Sequence, residues 1–397
     1  MTDVMQTTPR AASAVRGWAP ADEEALLTGM LERYSPSREE RPLAEWLCDW
    51  LRGARLAGLR ADVDEVGNLI AELPANVTGT DGTTPAPLVL LGHLDTVPGY
   101  IPPRREGDLL YGRGAVDAKG PLAAFLAAVA RLATHGEPRA RSVIVVGAVE
   151  EEAATSRGAR AVLERWRPAA AIIGEPSGAA GVTLAYKGRL LARMRVAAPV
   201  SHTARPEDGV CARAVAVWSA IQRHAAGWNV EHGAASTFAA LQPSLRALHS
   251  GSDGFSDWCE LEVGYRLPPG FDAPGLVTWL EATAQAAEAT LAIRGIEPAY
   301  QGERRGPLVS AYVRALRAEG LDPTFKRKTG TSDMNVVGPV WQCPIVAYGP
   351  GDAALDHTPG EHIALREYAQ GIAVLERVLG EWVHPSRAAD QRKESDQ

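Results

Sequence analysis

The first half of the chain is punctuated by short, continuous apolar runs at 87–92, 142–149 and 170–174. Each has the length of a strand buried on both faces. Between the first two lies 121–135, rich in alanine and leucine and helical in period. Further upstream, Leu43, Trp46, Leu47 and Trp50 recur at three- and four-residue spacing and predict an amphipathic helix starting near Ser35-Pro36-Ser37. Ser37 and Glu40 have the spacing of a capping box. Strands alternating with helices predict an α/β layer built on a mixed, largely parallel sheet flanked by helices.

The texture changes after Gly178. Residues 182–196 alternate polar and apolar, as a half-solvated strand does. A helical pattern follows at 211–228, a strand at 258–267, a helix at 273–287 and a strand at 290–293. This β-α-β-β-α-like block reads as a compact α+β module. The first pattern resumes after Glu303, so the expected architecture is one domain, residues 1–180 and 302–397, interrupted by a second, residues 181–301. The first 20 residues and the stretch from 385 onward are polar or small and aperiodic, and read as loose ends.

Composition narrows the function classes. A chain of 397 residues that is 46% hydrophobic and 22% charged can fill more than one core. Its net charge of −7 argues against a general nucleic-acid binder. The N-terminus lacks the apolar core of a signal peptide, and the apolar stretch 121–133 contains Arg131 and is too short to span a bilayer. Cys48, Cys211, Cys259 and Cys343 are scattered without CxxC spacing. Reduced thiols in a cytoplasmic protein, with no membrane or nucleic-acid partner, are the expectation.

Chemistry concentrates where the apolar runs end. His135, His224, His232, His249 and His384 have no acidic cluster beside them. His93 stands at the C-terminal end of a buried strand, where open α/β sheets place their ligand crevice, with Asp95 two residues on and on the same strand face. Asp117 lies in a glycine-rich loop before a helix, where a helix N-cap is the alternative role. The run 142–149 passes straight into Glu150-Glu151-Glu152, and 170–174 into Glu175. His357 lies among acids after the apolar stretch 343–348. Adjacent carboxylates repel unless water or a cation relieves them, so a solvated charge run competes with a metal cluster. Nitrogen and carboxylate donors without thiolate suit Zn²⁺, Co²⁺ or Mn²⁺.

Together these motifs resemble the M20 metallopeptidases and amidohydrolases, which include acetylornithine deacetylases and succinyl-diaminopimelate desuccinylases. The likeness runs from about Ser35 to Leu379. It implies a catalytic domain with an inserted ferredoxin-like lid and dimerisation domain, a homodimer, and two Zn²⁺ ions per subunit, with Co²⁺ as the substitute. The implied ligands are His93, Asp117, Glu152, Glu175 and His357, with Asp117 shared and Asp95 orienting His93. The family's usual Asp-Glu-Glu is followed by a Gly-Ala-Arg-like helix start, and here Gly158-Ala159-Arg160 comes one residue late. Aligning Glu150 with the aspartate makes Glu151 the general base and Glu152 the ligand. The other register, Glu150 and Glu151, stays open.

The motif at 200–206 resembles the lid histidine of the family, which implies that His202 serves the partner subunit's site as an oxyanion donor. Arg266 resembles the family's lid-strand arginine, and Gly330, Thr331 and Ser332 its carboxylate-binding loop. Asp333 is either a contact for a substrate cation or a turn cap. Residues 147–152, 174–177 and 329–335 look most like the lysine-biosynthesis branch. Those enzymes release lysine or ornithine from the C-terminal glutamate of a small acidic amino-group carrier protein. Acetylornithine deacetylase is the closest alternative. Lys326, Arg327 and Lys328, with Arg304 and Arg305, either steer such a carrier or form an ordinary solvated run.

Overall fold

A computed structural model of the chain describes residues 18–77, 85–202 and 209–384. Of the loose ends expected at the termini, residues 1–17 and 385–397 lie outside them, as do residues 203–206 of the His202 motif; Pro20 already begins a helix. Among the described residues, nine strands form the large sheet. Its centre is four parallel strands in the order Val143–Ala148, Leu88–His93, Ala170–Ile173 and Ile345–Ala347. These are the apolar runs of the sequence, buried along their length. Antiparallel strands flank them, so the sheet is mixed. The helix Lys119–His135 is buried on nearly every side and packs on one face with Leu365–Val383. Asp333–Trp341 covers the other face, against Ile345, Ala347 and Tyr186.

A second core belongs to a four-stranded antiparallel sheet ordered Gln242–Ser252, Ser256–Leu267, Gly188–Pro199, Ala289–Glu297. The helices Val210–Glu231 and Ala273–Ala286 cover one face of it. With its chain order β-α-β-β-α-β, this is a ferredoxin-like arrangement. The strand Gln242–Ser252 escaped the sequence reading because it lies at the sheet edge with most side chains in solvent, so no apolar alternation marks it.

Two local expectations change. The stretch 182–196 is two strands: Gly181–Tyr186 is buried in the large sheet, and only Gly188–Pro199 alternates. Lys187, fully buried, is the junction. The helix expected near Ser35 begins at Arg41, and Ser37 and Glu40 form no capping box. Both side chains are drawn into the site instead. An additional helix, Pro20–Leu31, precedes it.

Candidate metal centre

The carboxyl ends of the parallel strands converge on a cavity of about 680 Å³. His93 ends its strand, Glu150 to Glu152 and Glu175 follow theirs, and His357 arrives on the loop after Ile345–Ala347. Asp117 comes from the loop before Lys119–His135. Gly114 there has a φ of +90°, and a Cβ on Gly120 would fall 2.3 Å from the Ala115 carbonyl oxygen. Only glycine fits either position, which accounts for the glycine-rich run around Asp117. Asp117 does not cap the helix; Ala118 holds that position.

Asp117 stands between the two histidines. Its Oδ1 lies 3.2 Å from His93 Nε2 and its Oδ2 3.0 Å from His357 Nε2. His357 Nε2 is also 2.9 Å from Glu152 Oε1. Two groups of donors therefore share Asp117: His93, Asp117 and Glu175 in one, and Asp117, Glu152 and His357 in the other, each with its donor atoms within 4.8 Å of one another. Both sets are imidazole and carboxylate, as a pair of borderline divalent ions requires.

The charges fit such ions. Burial, then the charge of Asp117, raises Glu152, and the same two causes push Glu175 up to about 8. Burial raises Glu151 well above the carboxylate range, and Glu175, Asp333 and Glu152 add to it. His357 is pushed up to about 10 by its bonds to Asp117 and Glu152. His93 is raised despite burial, by Asp117 and Asp95. Burial opposes the ionisation of Asp117, yet His357 and His93 hold it below the usual range. Without a cation, protons and imidazolium must compensate these acids; divalent ions would do so directly.

Asp95 is fully buried and is the hub of the site. Its main-chain oxygen, 2.9 Å from His93 Nδ1, is the nearer clamp on the ring, and its Oδ1 is 3.4 Å away. The carboxylate mainly holds the glutamate turn. Oδ1 accepts the N–H of Glu151 at 3.0 Å, and Oδ2 accepts the N–H of Glu152 at 3.0 Å and the Ser37 hydroxyl at 2.6 Å. Glu40 Oε1 accepts the N–H of Glu150 at 2.9 Å. Glu150 turns away, with its carboxylate accepting the Thr155 hydroxyl at 2.6 Å and facing Arg38 and Arg157. Glu151 lines the cavity.

A second brace joins the loops of Asp117 and His357. Glu361 is buried, accepts the N–H groups of Val116 at 2.9 Å and Asp117 at 3.1 Å, and pairs with Arg113 at 2.7 Å. Sequence reading missed Ser37, Glu40 and Glu361, because a hydrogen bond across more than fifty positions leaves no local periodicity.

Much of the remaining lining is basic. Arg189, Arg246 and Arg266 come from the four-stranded sheet, and Arg327 and Lys328 from Thr324–Lys328. Arg266 Nη1 donates to Thr331 Oγ1 at 2.9 Å, and Gly330 and Thr331 line the cavity. Ser332 does not; it is buried and caps Asp333–Trp341, accepting from the Met334 N–H at 3.3 Å. Asp333 is buried, absent from the cavity lining and raised by that burial to about 7. His202 is exposed and absent from the cavity lining. Arg189 and Arg246 were missed because they belong to strands whose neighbours in space are distant in sequence.

Comparison with known proteins agrees with this geometry. The pattern of Peptidase family M20/M25/M40 matches residues 89–381. A LysW-lysine hydrolase of Deinococcus radiodurans is 43% identical over 347 residues, covering 87% of this chain and 92% of its own. A LysW-lysine/LysW-ornithine hydrolase of Sulfurisphaera tokodaii is 30% identical and covers 86% and 90%. Among solved structures, an M20 family metallo-carboxypeptidase from Sulfolobus solfataricus shares the fold at a TM-score of 0.73 and 18% identity, covering 92% of this chain and 99% of its own.

Proposed function

The chain belongs to peptidase family M20/M25/M40 and is a metal-dependent hydrolase, and we propose that it cleaves the amide joining lysine, or ornithine, to the C-terminal glutamate of a small acidic amino-group carrier protein. The observation that carries this reading is the polarity of the cavity. Two donor sets sharing Asp117 border it, and among the described residues five cations, Arg189, Arg246, Arg266, Arg327 and Lys328, line it as well. A carrier that ends in glutamate and bears an amino acid presents several carboxylates to such a wall. N-acetylornithine presents one.

Two Zn²⁺ per subunit, or Co²⁺, would be held by His93, Asp117 and Glu175 and by Asp117, Glu152 and His357. When bound, they supply Lewis acidity to the scissile carbonyl and acidify the attacking water. Glu151 takes the proton from the attacking water and passes it to the leaving amine, and its burial favours the protonated form that serves as the acid. Asp95, through Ser37 and the two main-chain N–H groups, keeps the base and the adjacent ligand in register. Arg266 and the N–H groups of Gly330 and Thr331 bind substrate carboxylate. His202 donates to the oxyanion of the partner subunit in a homodimer formed through the four-stranded unit. No helix of the described residues is long and apolar enough to cross a membrane, and we place the enzyme in the cytoplasm.

Rates on carrier-linked lysine, carrier-linked ornithine, N-acetylornithine and succinyl-diaminopimelate test the reading on metal-loaded protein. A carrier-linked substrate should lead, and its kcat/KM should fall as salt rises, since charge steering is screened over a Debye length of about 10 Å at 0.1 M. Faster turnover of N-acetylornithine, with no salt effect on the carrier substrates, would overturn it.

A further inference from the structure

Among the described residues, five acidic side chains line the cavity: Asp117, Glu151, Glu152, Glu175 and Asp356. Four are accounted for by the donor sets and the base, and two divalent ions would bring the four positive charges that balance them. Asp356 is the acid left over. Its Oδ1 is buried and has no hydrogen-bond partner among the described residues. The turn around it is built without its side chain: Asp352 Oδ1 accepts the Ala354 N–H at 3.0 Å, and the Thr358 hydroxyl donates to the Leu355 carbonyl at 2.8 Å. Lys328 and the adjacent His357 are the positive groups whose fields reach Asp356, and neither forms an ion pair with it among the described residues. A buried carboxylate oxygen without a donor is costly, and such groups mark places where a ligand completes the hydrogen bonding.

We propose that Asp356 is the subsite for the side-chain ammonium of the released amino acid, an assignment that rests on the reaction proposed above. The five basic side chains repel an ammonium and suit carboxylates. The four compensated acids are engaged with metal or proton transfer. Asp356 therefore supplies the remaining negative charge in the cavity, and an ammonium donating to its Oδ1 satisfies both partners. A neutral aliphatic side chain would leave that oxygen unpaired, which is how a site built to hydrogen-bond one group rejects an analogue lacking it.

Calorimetric binding of free L-lysine and L-norleucine to the zinc-loaded protein tests this, because norleucine keeps the α-amino and carboxyl groups and lacks the terminal ammonium. The wild type should bind lysine at least about tenfold tighter, the range of a charge-assisted hydrogen bond. D356N should erase that preference, leave norleucine binding unchanged and retain the metal content of the wild type. Equal binding of the two amino acids by the wild type, or no binding of either, would overturn the proposal. So would a D356N protein that still prefers lysine, or one that loses the preference together with metal, since Asp356 would then act through Lys328 or His357. The reaction reading fails separately: a lysine preference abolished by D356N, with no lysine released from the carrier, would leave the subsite standing and remove the substrate.

Discussion

Asp95 illustrates how one residue serves two tasks through different atoms. Its carbonyl oxygen meets His93 Nδ1, while its carboxylate gathers Ser37 and the N–H groups of Glu151 and Glu152. Resemblance implied a carboxylate that orients His93; the distances give that task chiefly to the main chain. Asp95→Asn should therefore disturb the glutamate turn more than the His93 ring. Its amide can replace only one acceptor, and a buried donor left unpaired costs roughly 1–3 kcal/mol. Both Asp95→Asn and Ser37→Ala should lower kcat by about tenfold or more with little change in KM, while Ser37→Thr retains most activity. Metal analysis with kinetics checks this. Loss of one metal equivalent in Asp95→Asn with an undisturbed acid limb of the kcat profile would return the role to His93.

At the scale of elements, Lys187 matters most. It follows Gly181–Tyr186 of the large sheet and precedes Gly188–Pro199 of the small one. Its Nζ donates to the Thr237 carbonyl at 2.9 Å, to Gln242 Oε1 at 2.7 Å and to the Ala240 carbonyl. Its own carbonyl accepts Thr331 Oγ1 at 2.9 Å and Asn335 Nδ2 at 3.2 Å. One buried lysine thus ties the turn before Gln242–Ser252 to the loop that carries Gly330 and Thr331. Lys187→Met should cost roughly 1–3 kcal/mol through the acceptors it strands. It should also open 232–242 to protease before the large domain unfolds. Denaturant titration and mapping of the first cleavage measure both. Unchanged stability and cleavage elsewhere would show that the junction is held by the strands alone.

For the whole molecule, the acid cluster makes stability depend on metal and pH together. In the metal-free protein, Glu175 is raised to about 8 and Asp356 and Asp333 to about 7, all by burial first, while His357 is raised to about 10 by Asp117 and Glu152. Each native group then holds its proton at a pH where the unfolded chain has released it. The native state binds more protons, so stability falls as pH rises from about 5 to 7. Divalent metal, which binds the deprotonated acids and neutral imidazoles, should flatten or invert that slope. Urea unfolding across this window, with chelator and with zinc, checks the sign; rising stability in the metal-free protein would contradict it. The proposed dimer has its own test. Glu151→Gln and His202→Ala are each expected to be inactive, and mixed subunits should regain activity in heterodimers pairing an intact Glu151 with an intact His202. Mixtures that stay inactive would remove His202 from the partner's site.

Much of this protein could be read from its linear pattern. Continuous apolar runs mark strands buried on both faces, and polar residues at their ends mark the crevice, because a parallel sheet buries everything except its carboxyl edge. His93, the glutamate run and Glu175 stood out for that reason; Asp117 stood out by its glycine-rich loop, and the choice of Glu152 within the run came from the resemblance alone. Tertiary structure alone decided the rest. That Glu152 rather than Glu151 lies beside His357 goes with the N–H groups Asp95 captures. Ser37 and Glu40 look like a helix cap locally, yet a buried carboxylate and a distant main-chain N–H claim them. The basic wall assembles from two sheets, and the orphaned oxygen of Asp356 exists only once the cavity closes around it. Hydrophobic period is local and survives in one dimension; hydrogen-bond partnership and charge compensation are properties of distance in space.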